Sequence, residues 1–157
     1  MKVKECMCNN VLYCKPETTL NDVAKQMNQN HIGCMPVCDN NNNLVGLVTD
    51  RDIILRAVAC DKNTVTTPVS EIMTTKIYSC DSNAELSEAT KLMSDMQIKR
   101  VPVLDNGKVI GIITLGDLAN NQDVSGKTVN QILENICNCN VNAKNNYSNW
   151  INIINML

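Results

Sequence analysis

Gly46-Leu47-Val48-Thr49-Asp50-Arg51-Asp52 and Gly111-Ile112-Ile113-Thr114-Leu115-Gly116-Asp117 are one passage written twice. Each is a short apolar run, rich in branched side chains, that suits a strand. Each then runs through Thr-x-x-Asp, where Thr is a good helix N-cap and Asp suits the positive end of a helix. The passage therefore predicts a strand feeding directly into a helix, at two places in the chain.

The duplication spreads outward from there. A shift of 66 carries Met7 to Met73, Val11 to Ile77, Cys14 to Cys80, Leu20 to Leu86, Met27 to Met93, Ile32 to Ile98, Pro36 to Pro102 and Asp39 to Asp105. One deletion in the Asn40-Asn41-Asn42-Asn43 loop reduces the shift to 65, which carries Gly46 to Gly111, Thr49 to Thr114 and Asp52 to Asp117. A unit of about 60 residues occurring only twice is not a solenoid. Two such copies are expected to pack about a pseudo-twofold axis.

Each copy reads as strand, helix, strand, strand, helix. In the first, residues 11–14 form a short apolar strand. Leu20, Val23, Ala24 and Met27 then make the stripe of an amphipathic helix. Residues 35–38 read as a strand entered through Pro36, the Asn run as a turn, 44–48 as a strand and 53–58 as a second helix. The second copy repeats this with strands at 77–80, 101–104 and 109–113, and helices at 86–96 and 116–119. Asp105-Asn106-Gly107 is its hairpin turn. Thr19 with Asp22 resembles a capping box, and Ser82 with Glu85 fits the standard form.

The domain reading is repeat one at 1–62, repeat two at 63–122 and a tail at 123–157. Within the tail, 126–136 reads as a helix with Val129, Ile132, Leu133 and Ile136 on one face. Residues 138–149 are Asn-rich and read as loose. Residues 150–157, with Trp150, Ile151, Ile153, Ile154, Met156 and Leu157, are apolar enough to dock on this domain or on a second chain.

Composition narrows the function. Across 157 residues, 14 Lys and Arg against 16 Asp and Glu give a formal charge of −2. That excludes attachment to nucleic acid or anionic membrane by bulk charge. No apolar run approaches the ~18 residues that span a bilayer, and the first residues lack a signal-peptide core, so a cytoplasmic protein is expected. With no Phe, one Trp and three Tyr, the core must be aliphatic, helped by Met and Cys.

The nine cysteines stand at 6, 8, 14, 34, 38, 60, 80, 137 and 139. No pair has C-x-x-C spacing, and His31 is the only histidine, so these read as thiols, and no metal site is expected. Walker A, GxSxG, HExxH and GxGxxG patterns are absent, and His31 has no evident nucleophile to serve. No catalytic residue is assigned.

The two Thr-x-x-Asp turns carry the functional signal. As caps they are ordinary. Beside apolar strands, though, a hydroxyl and a carboxylate on one helical turn can also receive the vicinal hydroxyls of a ribose, as acidic residues do in other nucleotide folds.

With Ile72-Met73-Thr74, Met35-Pro36-Val37, Val101-Pro102-Val103 and the two duplicated passages, the chain resembles cystathionine-beta-synthase (CBS) domains in tandem, a Bateman module, over about residues 5–122. The resemblance implies an α/β fold of two βαββα repeats packed about a pseudo-twofold axis, two clefts between them, and a homodimer. It implies a non-catalytic regulatory module for adenosine ligands: AMP, ADP, ATP or S-adenosylmethionine. By the same resemblance Thr49 with Asp52, and Thr114 with Asp117, hold ribose. Asn9 and Val11 in copy one, and Thr75 and Ile77 in copy two, flank adenine.

The copies differ before the strand proline. Copy two has Lys99-Arg100, whereas copy one has Gly33-Cys34. Pseudo-twofold packing would set Arg100 against Thr49 and Asp52, where its planar fork suits phosphate, and would set Cys34 against Thr114 and Asp117. Arg100 reads equally as a solvated surface cation. Arg51, Arg56, Lys76 and Lys99 are weaker phosphate candidates. One competent nucleotide site and one weak site are expected. Alternatives of other classes are a ligand-free structural or dimerisation module and a thiol or metal sensor.

Overall fold

The computed structural model describes residues 1–138; the expected apolar terminus at 150–157 and most of the Asn-rich stretch lie outside the described residues. Helix α1 (Leu20–Asn30) is capped by Thr19, whose side chain accepts the Asp22 N–H at 3.2 Å. Leu20, Val23 and Met27 turn inward, while Ala24, expected on the same stripe, stays exposed. The chain leaves α1 through His31 in the left-handed region at φ 54° and enters β1 (Cys34–Cys38).

Strand β1 pairs antiparallel with β2 (Leu44–Thr49), in the register Cys34 opposite Thr49 and Met35 opposite Val48. Between them the turn is held by the Asp39 carboxylate, which accepts the N–H groups of Asn41 and Asn43 and the Asn43 side-chain amide. Asn42 takes the left-handed geometry at φ 62° that Asn tolerates. Helix α2 (Asp50–Arg56) follows β2 without a linker.

The second repeat follows the same order and adds a short first strand. It comprises β3 (Cys80–Asp81), α3 (Leu86–Met96), β4 (Arg100–Asp105), β5 (Lys108–Thr114) and α4 (Leu115–Asn120). Arg100 lies opposite Thr114 as Cys34 lies opposite Thr49, and α3 ends at Gln97 with φ 55°, mirroring His31. Asn106 and Gly107 both carry positive φ, as a tight Asn-Gly hairpin requires.

Four local expectations change. The strand expected at 11–14 pairs only at Cys14, by an isolated parallel bridge to Val37, because Leu12 and Tyr13 face solvent. Its counterpart shrinks to Cys80–Asp81, paired parallel with β4. The second-repeat cap lies three residues later than expected: Glu88 accepts the Glu85 N–H at 3.1 Å, and Ser82 is buried. Pro36 and Pro102 sit inside β1 and β4, not at their starts.

Two aliphatic cores result, and the repeats exchange segments to complete them. Leu20, Val23, Met35, Val37 and Val48 form the first core together with Val69 and Ile72, which precede the second repeat's strands. Leu86, Met93, Val101, Val103 and Ile113 form the second together with Val3 from the N-terminus. Matching 3-10 turns carry the exchanged residues, at Val3–Glu5 and Val69–Glu71. Beyond these turns, Cys8 bridges Ile112 on β5 and Thr74 bridges Leu47 on β2. This crossing lays each repeat's entry loop against the other repeat's hairpin. Helix α5 (Gly126–Asn138) then packs on repeat two, burying Ile132 in the second core.

Candidate functional site

Each Thr-x-x-Asp turn is a reciprocal cap. Asp52 Oδ2 accepts the Thr49 N–H at 2.9 Å and the Thr49 hydroxyl at 2.8 Å, and Thr49 Oγ1 accepts the Asp52 N–H at 3.1 Å. In repeat two the corresponding distances are 2.7, 2.8 and 3.2 Å between Thr114 and Asp117. The caps leave one carboxylate oxygen, Oδ1, turned away from the Thr. In repeat one Arg56 Nε lies 3.5 Å from Asp52 Oδ1, and the Arg56 guanidinium also donates to the Ile72 carbonyl and the Thr74 hydroxyl. Asp52 retains 15% side-chain exposure.

That residual exposure faces an open cleft. Thr49 and Asp52 of repeat one share it with Thr74, Lys76, Ile77, Tyr78, Ile98 and Arg100 of repeat two, around a cavity of about 260 Å³. A neighbouring lobe of about 400 Å³ shares the Leu47, Thr49, Ile98 and Arg100 walls and adds Cys34, Asp50, Arg51, Gln97 and Lys99. Arg100 thus stands with the Thr49–Asp52 pair of the other repeat, as the pseudo-twofold argument expects. Ile77 lies on the same cleft. Thr75, the neighbour of the bridging Thr74, is exposed beside it.

Asn9 and Val11 sit on the opposite side. They follow Cys8, which pairs with Ile112 on the strand that ends at Thr114. Each entry loop therefore lies with the Thr–Asp pair of the other repeat. Cys34 departs from expectation: it lines the Thr49 lobe beside Arg100. Burial pushes its thiol up to about 11; Arg100 pulls the other way, and Asp52 and Asp50 add to the rise. The Asp117 carbonyl faces the Cys6 thiol at 3.8 Å, and Asn121 donates to that sulfur at 3.3 Å, where repeat one has Arg56.

Reading the sequence alone missed three walls of the cleft. Tyr78 supplies an aromatic face, with Lys76 Nζ 5.8 Å from its ring centre. Leu47 and Ile98 supply aliphatic walls. The signal for Ile98 was available, since it precedes Lys99-Arg100 in the stretch already marked. Tyr78 gave none, because its counterpart in copy one is Leu12. Apolar walls with a few convergent polar groups are what a small-molecule cleft needs. Among the described residues no group of three or more His, Cys, Asp and Glu side chains could hold a metal ion, and no helix is long and apolar enough to cross a membrane.

Comparison with known proteins agrees with this architecture. The CBS domain-containing protein YhcV of Bacillus subtilis is 39% identical over 139 residues, covering 88% of this chain and 97% of that protein. A crystal structure of Hypoxic Response Protein I with two coordinated zinc ions superposes with a TM-score of 0.72 at 30% identity, over 77% of this chain and 98% of that one. The CBS domain pair of protein MJ0100, solved in complex with 5′-methylthioadenosine and S-adenosyl-L-methionine, superposes with a TM-score of 0.68 at 28% identity, over 76% and 93%. The CBS domain pattern matches residues 3–59 and again residues 69–123, and the chain belongs to the CBS domain family.

Proposed function

We propose that this chain is a regulatory sensor of adenine nucleotides (AMP, ADP or ATP), read in the cleft between its repeats. One observation carries the reading: the Thr49–Asp52 pair of one repeat and Arg100 of the other line a single cleft with apolar walls. Asp52 receives the ribose hydroxyls, Ile77 and Tyr78 flank the base, and Arg100 takes phosphate through its bidentate fork. A ligand held by both repeats favours the arrangement that presents both sets of contacts, so binding shifts a conformational or assembly equilibrium. The exposed Ile54, Leu55 and Val58 on and just after α2 offer apolar surface for a homodimer. The structural neighbour with bound methylthioadenosine and S-adenosylmethionine supports the adenosine class.

The second pair, Thr114–Asp117, has Asn10, Gly33, Cys34 and Gly116 at the positions equivalent to Lys76, Lys99, Arg100 and Arg51, and is the weak site. Calorimetry with AMP and ATP tests both statements. Asp52→Ala abolishes binding and Asp117→Ala leaves it nearly unchanged; the reverse pattern refutes the assignment.

A second reading, a ligand-free scaffold, is favoured by the use of both Thr–Asp pairs as reciprocal helix caps. A thermal-shift series with AMP, ATP and S-adenosylmethionine separates the two, because a ligand of the native state raises the melting temperature by mass action.

A further inference from the structure

We infer that the Thr49 cleft is built for a nucleoside polyphosphate, and that Lys99 and Arg51 set this length preference; the inference rests on the adenosine reading above. The cleft has two lobes joined across Thr49, Leu47, Ile98 and Arg100. One lobe carries Asp52, Ile77 and Tyr78, the walls suited to ribose and base. The other carries three cations, Arg51, Lys99 and Arg100, against the single carboxylate of Asp50. The Asp50 carboxylate is partly spent on its own helix, since its Oδ1 accepts the Arg51 N–H at 2.8 Å.

A nucleotide seated with its ribose at Asp52 directs its first phosphate at Arg100, on the ridge between the lobes. A monophosphate ends there. A second and third phosphate continue into the cationic lobe, toward Lys99 and Arg51. Both side chains line the lobe and are exposed.

The duplicated sequence shows that the fold forms in the other repeat without these charges. Applying the repeat offsets, Arg51 becomes Gly116, Lys76 becomes Asn10, Lys99 becomes Gly33 and Arg100 becomes Cys34. All four cations on one cleft are uncharged at the equivalent positions of the other. The same excess of positive charge disfavours S-adenosylmethionine, whose sulfonium adds a cation to its tail.

The test is calorimetry at fixed salt with ATP, ADP, AMP, adenosine and S-adenosylmethionine, on the wild type, Asp52→Ala and the double variant Arg51→Ala/Lys99→Ala. Circular dichroism confirms that each variant is folded. Charge-assisted contacts of this kind predict that ATP binds at least about tenfold tighter than AMP. In the double variant the ATP-to-AMP ratio falls to within about threefold, and the salt dependence of ATP binding flattens. Equal affinity for ATP and AMP in the wild type, or an unchanged ratio in the double variant, overturns the inference while leaving the adenosine reading intact. Absence of binding by every adenosine compound, or binding untouched by Asp52→Ala, overturns both.

Discussion

The Gln97 side-chain amide donates to the Asn135 main-chain carbonyl at 3.2 Å, which ties a wall of the cationic lobe to the C-terminal helix. Asn135 in turn reaches back to the Ser94 hydroxyl on α3. Helix α5 lies beyond the matched CBS domains, so this contact joins the cleft to a segment outside the two repeats. Gln97→Ala removes a bond worth about 1 kcal/mol or less at an exposed site. Hydrogen exchange across residues 129–136 is expected to quicken several-fold in the variant while the strands keep their protection. Added ATP is expected to alter exchange in α5 of the wild type and to leave the variant's α5 unaffected. An ATP response of equal size in both proteins would remove Gln97 from the coupling.

Met73 covers Gly46, and Met7 covers Gly111, across the exchanged segments. A Cβ on either glycine would overlap the methionine sulfur, so the close approach requires glycine at mid-strand. Gly46→Ala is expected to cost about 1–3 kcal/mol, the usual range for overpacking. Met73→Ala in the same chain should recover part of that loss, since the two changes act on one contact. Urea denaturation of the two single variants and the double supplies the cycle. Strictly additive losses would show that the contact is not what confines Gly46.

Much of this architecture was legible because the last strand of each repeat ends in a cap that starts a helix, and because the pattern is repeated at fixed offsets. Thr49 and Thr114 thus located two helices and marked two candidate sites at once. The first strand of each copy was misread because Val11-Leu12-Tyr13 has the composition of a strand but no partner along most of its length; composition cannot report pairing. The exchange of Val3 and Val69 between cores left no local trace, as each is the one apolar residue of its short turn and suits either core. Its one visible hint was the recurrence of Met7 and Met73 with a mid-strand Gly46 and Gly111. Arg100 was placed because pseudo-symmetry is a geometric rule, whereas Cys34 was misplaced because it lies opposite Thr49 in the β1–β2 pair and so borders the Thr49 cleft.

The near-identical caps at Thr49–Asp52 and Thr114–Asp117 separate folding from binding. Loss of either carboxylate removes the same cap bonds, so Asp52→Ala and Asp117→Ala should each destabilise by about 1 kcal/mol. Asp52→Ala loses slightly more, because Arg56 is left without its 3.5 Å partner. Chemical denaturation is expected to give paired stabilities within a few tenths of a kcal/mol, alongside unequal nucleotide affinities. A large stability gap between the two would mean that the binding loss in Asp52→Ala reports damage to the fold.

Buried thiols set an alkaline limit on stability. Burial pushes Cys14, Cys34 and Cys80 up to about 11 from an ordinary value of 9.0. Between those values the folded chain holds protons that the unfolded chain has released, so ν is larger in the native state and stability falls as pH rises. The contribution is fully present below pH 9 and is lost as pH climbs through about 11. Melting temperature is therefore expected to fall steadily over this window. Cys34→Ala should fall less, because it lacks one of the three thiols and other alkaline titrations are common to both proteins. Ellman's reagent at pH 8 should modify the exposed Cys8, Cys60 and Cys137 quickly and the buried Cys14 and Cys34 only as the chain opens. Superimposable pH profiles for Cys34→Ala and the wild type would show that the cleft thiol does not carry its share of the alkaline loss.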